Sequence, residues 1–410
     1  MTNKNFLPIA LGSDENAYGT ARLFVEAYNI KPLLCCTRQL TPTTNSSLFS
    51  IRQIEDFDKD DVFPSALLSV LKECKQKYEK IIVIPCSDYY AALMSKHYDK
   101  FEGLIENIFI TPELLDTLDT KDKFYALCEK YGMDYPQTYV ALPDDRINAV
   151  DKLPFDFPIV VKPENSNAYE YLHCEFEGKK KVFFFYDRET YVKTMESMNK
   201  SGYMGKLIIQ EFIGGDDSDM RVMNSYSDSN GKVRFMCLGQ PVLEEYHPKT
   251  LGNYAAIISR SDDVLYEKIK SFLENIGYVG FSNIDMKYDR KRGKYYMMEI
   301  NPRPGRSSFF VRAAGHNMMQ ILVDDAIEGK EPSLTVNNNK ALWANVPKCV
   351  IFKYVDDKEL KEEAKTLIRE KKYMRTLDCK QDFNLKRWLK IKRYYLSQYT
   401  NFKKYYFKKK

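Results

Sequence analysis

Eight short apolar segments between residues 157 and 302 limit the folds that this chain can adopt. In order they are FPIVVKP, KVFFFYD, KLIIQEFIGGDD, DMRVMNSY, VRFMCLG, YAAIISR, FSNIDMKYD and KYYMMEINP. β-Branched and aromatic residues are frequent in them, and polar sequence of turn length separates most of them. Helical stretches interrupt the run at residues 188–200 and 262–276. The pattern predicts an α+β region dominated by antiparallel strands.

The first 115 residues have a different pattern. FLPIAL, PLLCC and KIIVIP alternate with helical stretches at residues 16–28, 63–78 and 89–95. This alternation predicts βαβ units and a small parallel sheet, which belong to the α/β class. Two strands end in the polar turns Gly12-Ser13-Asp14 and Ser87-Asp88. Such turns line the ligand crevice in open α/β sheets, although Ser and Asp at these positions also cap helices.

The length of the chain predicts more than one domain. It has 410 residues, and a single hydrophobic core stops growing at roughly 250–300 residues. We predict a Rossmann-like βαβ domain at residues 1–117, an α+β domain at residues 118–330 and a helical region with a basic tail at residues 331–410. Further helices are predicted at residues 121–131, 317–328 and 357–371.

The composition is that of an ordinary globular protein. Hydrophobic residues make up 44% and charged residues 29% of the chain, and no apolar run reaches the roughly 18 residues of a membrane span. The N-terminus lacks the apolar core of a secretory signal. The nine cysteines show no CxxC spacing, which favours reduced thiols. We therefore expect a cytoplasmic protein.

The basic charge of the chain is concentrated in its tail. Residues 384–410 contain ten Lys or Arg and no acid, so the rest of the chain carries −5 while the whole carries +5. This argues against nucleic acid as a partner. On a helix, Trp388, Leu389, Tyr395, Leu396 and Tyr399 would lie roughly on one side. Such a stripe predicts either contact with an anionic membrane surface or packing against the protein body.

The last two apolar segments form a predicted hairpin, joined by the turn DRKRGK. Alternate residues of a strand share a face, so Glu299 and Asn301 point to one side, as do Asn283 and Asp285 on the preceding strand. In the register that we predict, Asp285 lies opposite Glu299. Cβ atoms of opposed residues are about 5 Å apart, and two carboxylates that close repel each other.

A cation between these carboxylates would remove the repulsion. Two carboxylates and an amide oxygen are hard donors without His or Cys, so Asp285, Glu299 and Asn301 predict Mg²⁺, with Mn²⁺ as an alternative, rather than zinc. Magnesium held by so few protein ligands completes its shell with water and nucleotide phosphates. An exposed hairpin that merely carries acids is the alternative reading.

Residues upstream of this hairpin can bind the phosphates, adenine and ribose of a nucleotide, although the chain has no Walker A sequence and no GxGxxG. Lys162 ends the strand FPIVVKP and Lys123 begins a helix, and each offers an ammonium for a phosphate or for solvent. After the strand KLIIQE, the backbone of Glu211, Phe212 and Ile213 can bind an adenine edge. Asp217, beyond the glycine turn, can bind ribose hydroxyls.

The order of these features resembles the ATP-grasp superfamily of carboxylate–amine ligases over residues 118–316. E-I-N-P-R-P-G-R-S-S is similar to the corresponding stretch of carbamoyl-phosphate synthetases. LGSD-x-N-x-YG-x-AR near the start, GDDS-x-MRV-x-N-x-Y at residues 215–226 and GRSSFFV at residue 305 resemble D-aspartate ligases of Gram-positive bacteria along the whole chain.

The resemblance implies a reaction and roles for residues. Such enzymes use ATP to activate the β-carboxylate of D-aspartate and join it to the lysine side chain of a peptidoglycan precursor. An ATP-grasp enzyme for another amino acid and amine, or a carbamoyl-phosphate-type enzyme, is the alternative. The resemblance implies that Lys123 and Lys162 bind phosphates and that Gln210, Glu211, Phe212 and Ile213 form the adenine pocket. It implies that Asp217 binds ribose and that Asp285, Glu299 and Asn301 bind magnesium. It also implies that Arg303 contacts the transferred phosphoryl group.

Substrate contacts are less specific in the sequence. Arg221, Asn253, Arg306 and Ser307 are candidates for holding the amino-acid carboxylates, and each also has a structural use. For Ser307 and Ser308 that use is capping of a helix. Asp14, Asp88 and Glu244 are candidates for the base that takes the proton of the amine. The loop ENSNAYEY after Lys162 lacks the glycines of many ATP-grasp phosphate lids.

Overall fold

The computed structural model describes residues 5–164, 169–180, 182–248 and 250–406. These form two compact units. The first is drawn from Met1–Leu115, Asp216–Met286 and Ile300–Lys410, and the second from Asp116–Gly215 and Lys287–Glu299. The predicted domain boundaries at residues 117 and 330 stay a prediction.

The described part of the chain contains sixteen strands and thirteen α-helices. The strands are β1 (Phe6–Leu11), β2 (Leu33–Cys36), β3 (Ser50–Gln53), β4 (Lys80–Pro85), β5 (Thr138–Ala141), β6 (Ile159–Pro163), β7 (Phe183–Phe185), β8 (Leu207–Glu211), β9 (Met220–Ser227), β10 (Val233–Glu244), β11 (Tyr254–Arg260), β12 (Gly280–Asp289), β13 (Lys294–Asn301), β14 (Thr335–Val336), β15 (Leu342–Ala344) and β16 (Tyr373–Met374). The helices are α1 (Glu15–Tyr28), α2 (Phe63–Lys75), α3 (Asp88–His97), α4 (Pro112–Asp119), α5 (Lys121–Lys130), α6 (Tyr169–His173), α7 (Arg188–Lys200), α8 (Asp263–Asn275), α9 (Phe309–Ala313), α10 (Met318–Ala326), α11 (Lys348–Tyr354), α12 (Lys358–Arg369) and α13 (Leu385–Tyr405).

The N-terminal part of the first unit is a parallel sheet in the order β3-β2-β1-β4. All six residues of β1 are buried, as expected for a central parallel strand covered on both faces. Gly12 has a φ of +134° directly after β1, a conformation that side-chain-bearing residues rarely adopt. Asp14 then caps α1, because its carboxylate accepts a hydrogen bond of 3.0 Å from the Ala17 amide. The predicted α/β class is confirmed here.

A larger sheet runs in the order β13-β12-β9-β10-β11-β15-β16, with β14 paired to β10. Strand β10 is antiparallel to β9 and to β11, and β11 is antiparallel to β15. The second unit contains an antiparallel sheet in the order β5-β8-β6-β7. These sheets confirm the predicted α+β part, and each of the eight apolar segments contains one strand.

Helix α13 packs against the body of the first unit along one face. Ile391, Tyr395 and Phe402 are buried, while Trp388 and Leu396 on the remaining surface are exposed. The predicted stripe is therefore wrong for Tyr395, whose ring faces the protein core. Successive residues of a helix are rotated by about 100°, so Tyr395 faces the core while Leu396 next to it points to solvent, and α13 has two apolar faces.

The core of the first unit joins distant parts of the sequence. Phe6 and Tyr18 from the N-terminal sheet region share one cluster of buried residues with Phe310 of α9 and with Ile391 and Tyr395 of α13. The second unit has a core of its own, in which Val161 and Ile209 contact aromatic residues of β7 and α7. No helix among the described residues is long and apolar enough to cross a membrane.

Candidate active site

In the second unit, Lys162 lies at the end of β6 among groups that alter its charge. The pKa of Lys162 is lowered to about 8, first by burial and then by the neighbouring ammonium of Lys121, while the Glu299 carboxylate opposes the shift. Lys121 Nζ lies 3.7 Å from Glu299 Oε2 and donates a 2.8 Å hydrogen bond to the Met298 carbonyl. Two partly buried ammonium groups beside one carboxylate form a site suited to a polyanion.

The sequence predicted Lys123 beside Lys162 at the phosphate site, but the structure places Lys121 near Glu299. Lys123 Nζ pairs with Asp116 at 2.5 Å, and its side chain is 52% exposed, whereas that of Lys121 is 16% exposed. Both residues lie in the first turn of α5. The sequence could not separate them, because packing of the helix decides which of the two faces Glu299.

Strand β13 carries the predicted carboxylate and amide. Glu299 is exposed and Asn301 half-buried, while Ile300 between them is buried, so the two polar residues share one face as predicted. In the first unit, Asn301 Nδ2 lies 3.4 Å from Asp285 Oδ2 and 3.3 Å from the Asn283 carbonyl. The Tyr254 hydroxyl donates a 2.7 Å hydrogen bond to the other oxygen of Asp285. The pairing of Asp285 with Glu299 stays a prediction.

The donor set of this region fits a hard cation. The described residues contain no group of three or more His, Cys, Asp or Glu side chains arranged for a metal, and the predicted set has only two carboxylates and an amide. Asp285 has one oxygen oriented by Tyr254 and the other near Asn301. Oxygen donors in this number suit Mg²⁺ that takes its remaining ligands from water and substrate.

The end of β8 has the polar side chains turned inward. Gln210 Nε2 donates 2.9 Å hydrogen bonds to Tyr125 and Thr138 side-chain oxygens. Glu211 accepts from Arg292 Nη1 at 3.0 Å and from the Gln137 amide at 3.1 Å. These side chains hold the segment in place, and the Glu211 and Phe212 amides donate to the Gln137 and Pro158 carbonyls. The rings of Phe212 and Phe184 lie edge to face with their centres 5.9 Å apart.

Asp217, the predicted ribose ligand, belongs to the first unit. One oxygen of its carboxylate accepts a 2.6 Å hydrogen bond from the Tyr246 hydroxyl and a 3.1 Å bond from the Glu244 amide. The structure therefore gives this carboxylate a role in holding the end of β10.

The turn after β13 holds Arg303 in a fixed position. Arg303 Nε donates a 2.6 Å hydrogen bond to Asp88 Oδ1, and Asn16 Nδ2 donates a 2.7 Å bond to the Pro304 carbonyl. Burial acts to lower the pKa of Arg303, but the carboxylates of Asp88, Asp285 and Asp14 outweigh it and the pKa is raised. A side chain at Gly305 would place its Cβ 2.5 Å from Asn283 Nδ2, so any larger residue requires the buried Asn283 side chain to move.

Arg306 lies between two buried carboxylates. Its Nη2 donates to Glu245 Oε1 at 2.9 Å and lies 3.9 Å from Glu15 Oε2. Glu245 and Glu15 are each 2% exposed. The pKa of Glu15 is raised to about 7, chiefly by burial, while Arg306 opposes the shift. The sequence indicated neither glutamate, because both are distant from Arg306 along the chain.

The other predicted substrate residues have structural contacts. Arg221 Nη1 donates to the carbonyls of Ser218 and Met220 at 2.7 Å each, and the Asn253 carbonyl accepts from the Glu245 amide at 2.7 Å. Ser307 and Ser308 are buried before α9, and Ser308 makes no side-chain capping bond. The capping role suggested for Ser308 is therefore not observed.

The base candidates are engaged in different ways. Asp88 pairs with Arg303, and Asp14 caps α1. Burial raises the pKa of Asp14, against the opposing effects of the Ala17 amide and Arg306. The predicted lid loop ENSNAYEY includes residues 165–168, which lie outside the described residues.

Comparisons with known proteins agree with this architecture. A family model for the ATP-grasp domain matches residues 155–307. The biotin carboxylase domain of the 2-oxoglutarate carboxylase of Hydrogenobacter thermophilus, solved with MgADP, ADP and bicarbonate, has a TM-score of 0.60 at 12% identity and covers 82% of this chain and 73% of its own. An L-amino acid ligase from Bacillus licheniformis has a TM-score of 0.53 at 14% identity, covering 79% and 75%. These similarities identify an ATP-grasp fold.

The fold and the site thus define an ATP-dependent carboxylate–amine ligase of the ATP-grasp class. The D-aspartate ligase of Enterococcus faecium is 40% identical over 412 residues, which cover 98% of this chain and 97% of that protein. The chain belongs to the D-aspartate ligase family. A weaker similarity, 23% over 54% of the chain, connects it with the C-terminal section of the carbamoyl phosphate synthase large chain of Methanopyrus kandleri.

Proposed function

We propose that this enzyme uses ATP to activate the β-carboxylate of D-aspartate and joins it to the lysine ε-amine of a peptidoglycan precursor, releasing ADP and phosphate. The observation that carries the proposal is the 40% identity to a D-aspartate ligase along 98% of the chain. In this reaction a carboxylate oxygen of the donor attacks the γ-phosphorus and ADP leaves. The amine then attacks the acyl carbon, the C–O bond to phosphate breaks, and the nitrogen loses a proton.

We assign the phosphates of ATP to Lys162 and Lys121. Their ammonium groups both lie near Glu299 in the second unit, and a phosphate chain would receive from them the positive charge that their burial otherwise disfavours. We expect Lys123 to remain a surface residue, because Asp116 already pairs with it. The backbone from Gln210 to Ile213 is proposed to bind adenine, with Phe212 against the ring, and Asp217 to bind ribose.

The metal is proposed to be Mg²⁺, or Mn²⁺ in its place, held by Asp285, Glu299 and Asn301. When bound, it would draw charge from the phosphate oxygens and so ease the approach of an anionic carboxylate. Tyr254 orients Asp285 through the hydrogen bond to its Oδ1. Arg303 presents a guanidinium to the transferred phosphoryl group, and Asp88 keeps that guanidinium in one orientation.

The decisive experiment is phosphate release from ATP and Mg²⁺ with a panel of D- and L-amino acids. Hydroxylamine, added in a parallel reaction, traps an acyl phosphate as a hydroxamate. We expect release and trapping with D-aspartate and neither with L-aspartate. Release that depends on bicarbonate would instead support a carbamoyl-phosphate-type enzyme, and release with another amino acid would replace the donor. Glu299→Gln serves as the inactive control, since it removes one charge from the metal site.

We also propose that the enzyme acts in the cytoplasm at the inner face of the membrane, through the exposed face of α13. Leu385, Trp388, Leu389 and Leu396 are 65%, 44%, 56% and 61% exposed, and they lie at helical spacing along one side. Lysines surround them, and Lys392 Nζ lies 5.5 Å from the centre of the Trp388 ring. An apolar stripe bordered by cations suits an anionic lipid surface.

Vesicle sedimentation tests this contact. The full chain is expected to pellet with vesicles of anionic phosphatidylglycerol and much less with neutral phosphatidylcholine. Substituting Leu385, Leu389 and Leu396 together by serine should abolish pelleting, because these side chains are exposed and their loss leaves the packed face intact. Equal pelleting of this variant and the natural chain would refute the proposal.

A further inference from the structure

Two buried carboxylates of the first unit hold the arginine at the end of the Pro302–Arg306 turn. Arg306 Nη2 has Glu245 Oε1 at 2.9 Å and Glu15 Oε2 at 3.9 Å. Glu245 Oε1 also accepts a 2.8 Å hydrogen bond from Asn345 Nδ2. A buried carboxylate with two charged or amide donors on one oxygen has little freedom to rotate.

The anchor of Arg306 is itself fixed by the backbone. The Glu245 amide donates to the Asn253 carbonyl at 2.7 Å, directly after β10. Asn345 likewise donates its amide to the Ala255 carbonyl at 3.0 Å, next to β15. Glu245 and its partner Asn345 are therefore both held by backbone hydrogen bonds at the start of β11.

The guanidinium of Arg306 keeps further N–H donors for a ligand. Only Nη2 of Arg306 makes a hydrogen bond to any described residue, and the side chain is 27% exposed. An arginine presents five N–H donors in a planar fork, so the second N–H of Nη2, together with the neighbouring Nε–H or Nη1–H, can still bind a carboxylate through two parallel bonds. A donor amino acid with two carboxylates needs such a cation to bind the carboxylate that does not react.

We propose that Glu245 is the positioning residue for Arg306, and that it holds the guanidinium with its remaining N–H donors toward the α-carboxylate of the donor amino acid. This inference rests on the proposed function. Glu245 does not touch the substrate, but by holding Arg306 it decides where the substrate's unreactive carboxylate lies. Selection between the two carboxylates of the donor follows from that placement.

Glu15 has a different part in the same cluster. Its Oε1 is buried without a hydrogen-bond partner among the described residues, while Oε2 has the Tyr394 hydroxyl at 3.4 Å and Arg306 at 3.9 Å. The groups that face Glu15 are Arg306, Glu245, Asp14, Thr376 and Tyr394. Because Glu15 contacts Arg306 less closely than Glu245 does, we expect it to tune the charge of the cluster rather than the direction of the guanidinium.

Kinetics of Glu245→Gln test the proposal. We expect the KM for the donor amino acid to rise about tenfold, with kcat and the KM for ATP within about twofold, since lost orientation removes ground-state and transition-state binding alike. Arg306→Lys should raise the donor KM at least as much. The double variant Glu245→Gln/Arg306→Lys should be no worse than Arg306→Lys alone, because Glu245 acts through Arg306.

A matched control comes from another arginine–glutamate pair of the first unit. Glu363 binds Arg260 through two hydrogen bonds of 2.6 and 2.7 Å, so Glu363→Gln removes the same kind of contact and should leave the donor KM unchanged. An unchanged donor KM in Glu245→Gln, or effects of Glu245→Gln and Arg306→Lys that multiply, would overturn the inference.

Two further measurements keep the outcomes distinct. If Glu245→Gln fails to fold, Asn345→Ser removes the support of Glu245 without touching any charge, and should raise the donor KM in the same direction by a smaller factor. If the natural chain itself shows no amino-acid-dependent phosphate release, the proposed function fails. If the natural chain shows release, and Glu245→Gln and Asn345→Ser have the same donor KM as the natural chain, only the positioning role of Glu245 fails.

Discussion

Lys121 and Lys123 are two residues apart, yet their surroundings differ sharply. Lys121 contacts the Met298 carbonyl and lies near Glu299, and Lys123 pairs with Asp116 at the surface. We therefore expect Lys121→Ala to raise the KM for ATP at least tenfold, since a charge-assisted contact to phosphate contributes about 1.5–3 kcal/mol. Lys123→Ala should change it less than twofold. Equal effects of the two substitutions on the KM for ATP would contradict this assignment.

Glu15 makes stability depend on pH in an unusual direction. Its pKa is raised from 4.5 to about 7, chiefly by burial, so between these values the folded state binds more protons than the unfolded state. The contribution of Glu15 to the free energy of unfolding then falls as pH rises from about 4.5 to 7. Glu15→Gln removes this dependence and can place its amide nitrogen at the position of the unpartnered Oε1.

The expected result is a variant more stable than the natural chain at pH 8, by about 1–3 kcal/mol, with the difference shrinking toward pH 5. Urea unfolding at both pH values measures it. A constant difference between the two proteins would show that Glu15 has an ordinary pKa.

At the scale of elements, α13 offers a direct comparison of its two apolar faces. Phe402 is 1% exposed and contacts the rings of Tyr246 and Tyr354, whereas Leu396 is 61% exposed. Phe402→Ala is expected to lower the free energy of unfolding by about 3–5 kcal/mol because it leaves a cavity. Leu396→Ala should change it by less than about 0.5 kcal/mol. Thermal or urea unfolding distinguishes them, and similar losses would mean that both faces are packed.

Strands were the elements that the sequence predicted well. Each apolar segment between residues 157 and 302 contains a strand, and alternation along β13 placed Glu299 and Asn301 on one face. Strand β3 (Ser50–Gln53) was missed because it is a short edge strand with no fully buried residue. Nothing local marks such a strand, since pairing with β2 rather than an apolar pattern defines it.

The candidate site was predictable where its residues are neighbours in sequence. Arg303 and Arg306 follow β13 directly, but their partners Asp88, Glu245 and Glu15 come from other elements. The sequence also did not show which side of α5 faces Glu299, because Lys121 and Lys123 both suit the first turn of a helix. Long-range packing decides these contacts, and a single sequence does not encode it in any local pattern.

At the scale of the whole molecule, one buried carboxylate ties the end of the chain to its beginning. Asp382 accepts hydrogen bonds from the Tyr18 hydroxyl at 3.0 Å, the Ser47 amide at 2.7 Å and Arg387 Nε at 2.7 Å. Asp382→Asn leaves the Arg387 guanidinium buried without its counter-charge. We expect it to lower the free energy of unfolding by about 3–5 kcal/mol.

Asp378→Asn is the matched control for this change. Asp378 pairs with Arg375 at 2.5 Å but is 46% exposed, so water replaces the lost partner and the expected cost is below about 1 kcal/mol. Urea unfolding of both variants gives the comparison. A cost for Asp382→Asn as small as that of Asp378→Asn would show that the two ends of the chain are held by other contacts.

The shared core of Phe6, Tyr18, Ile391 and Tyr395 has a consequence for how the protein is made. The ribosome releases the first strand hundreds of residues before the helix that completes its surroundings. During that interval the growing chain exposes apolar surface, the kind that chaperones bind and that promotes aggregation. A stop codon between residue 303 and α13 would therefore yield a polypeptide that contains every proposed ATP ligand but lacks the residues that complete the core around Phe6 and Tyr18.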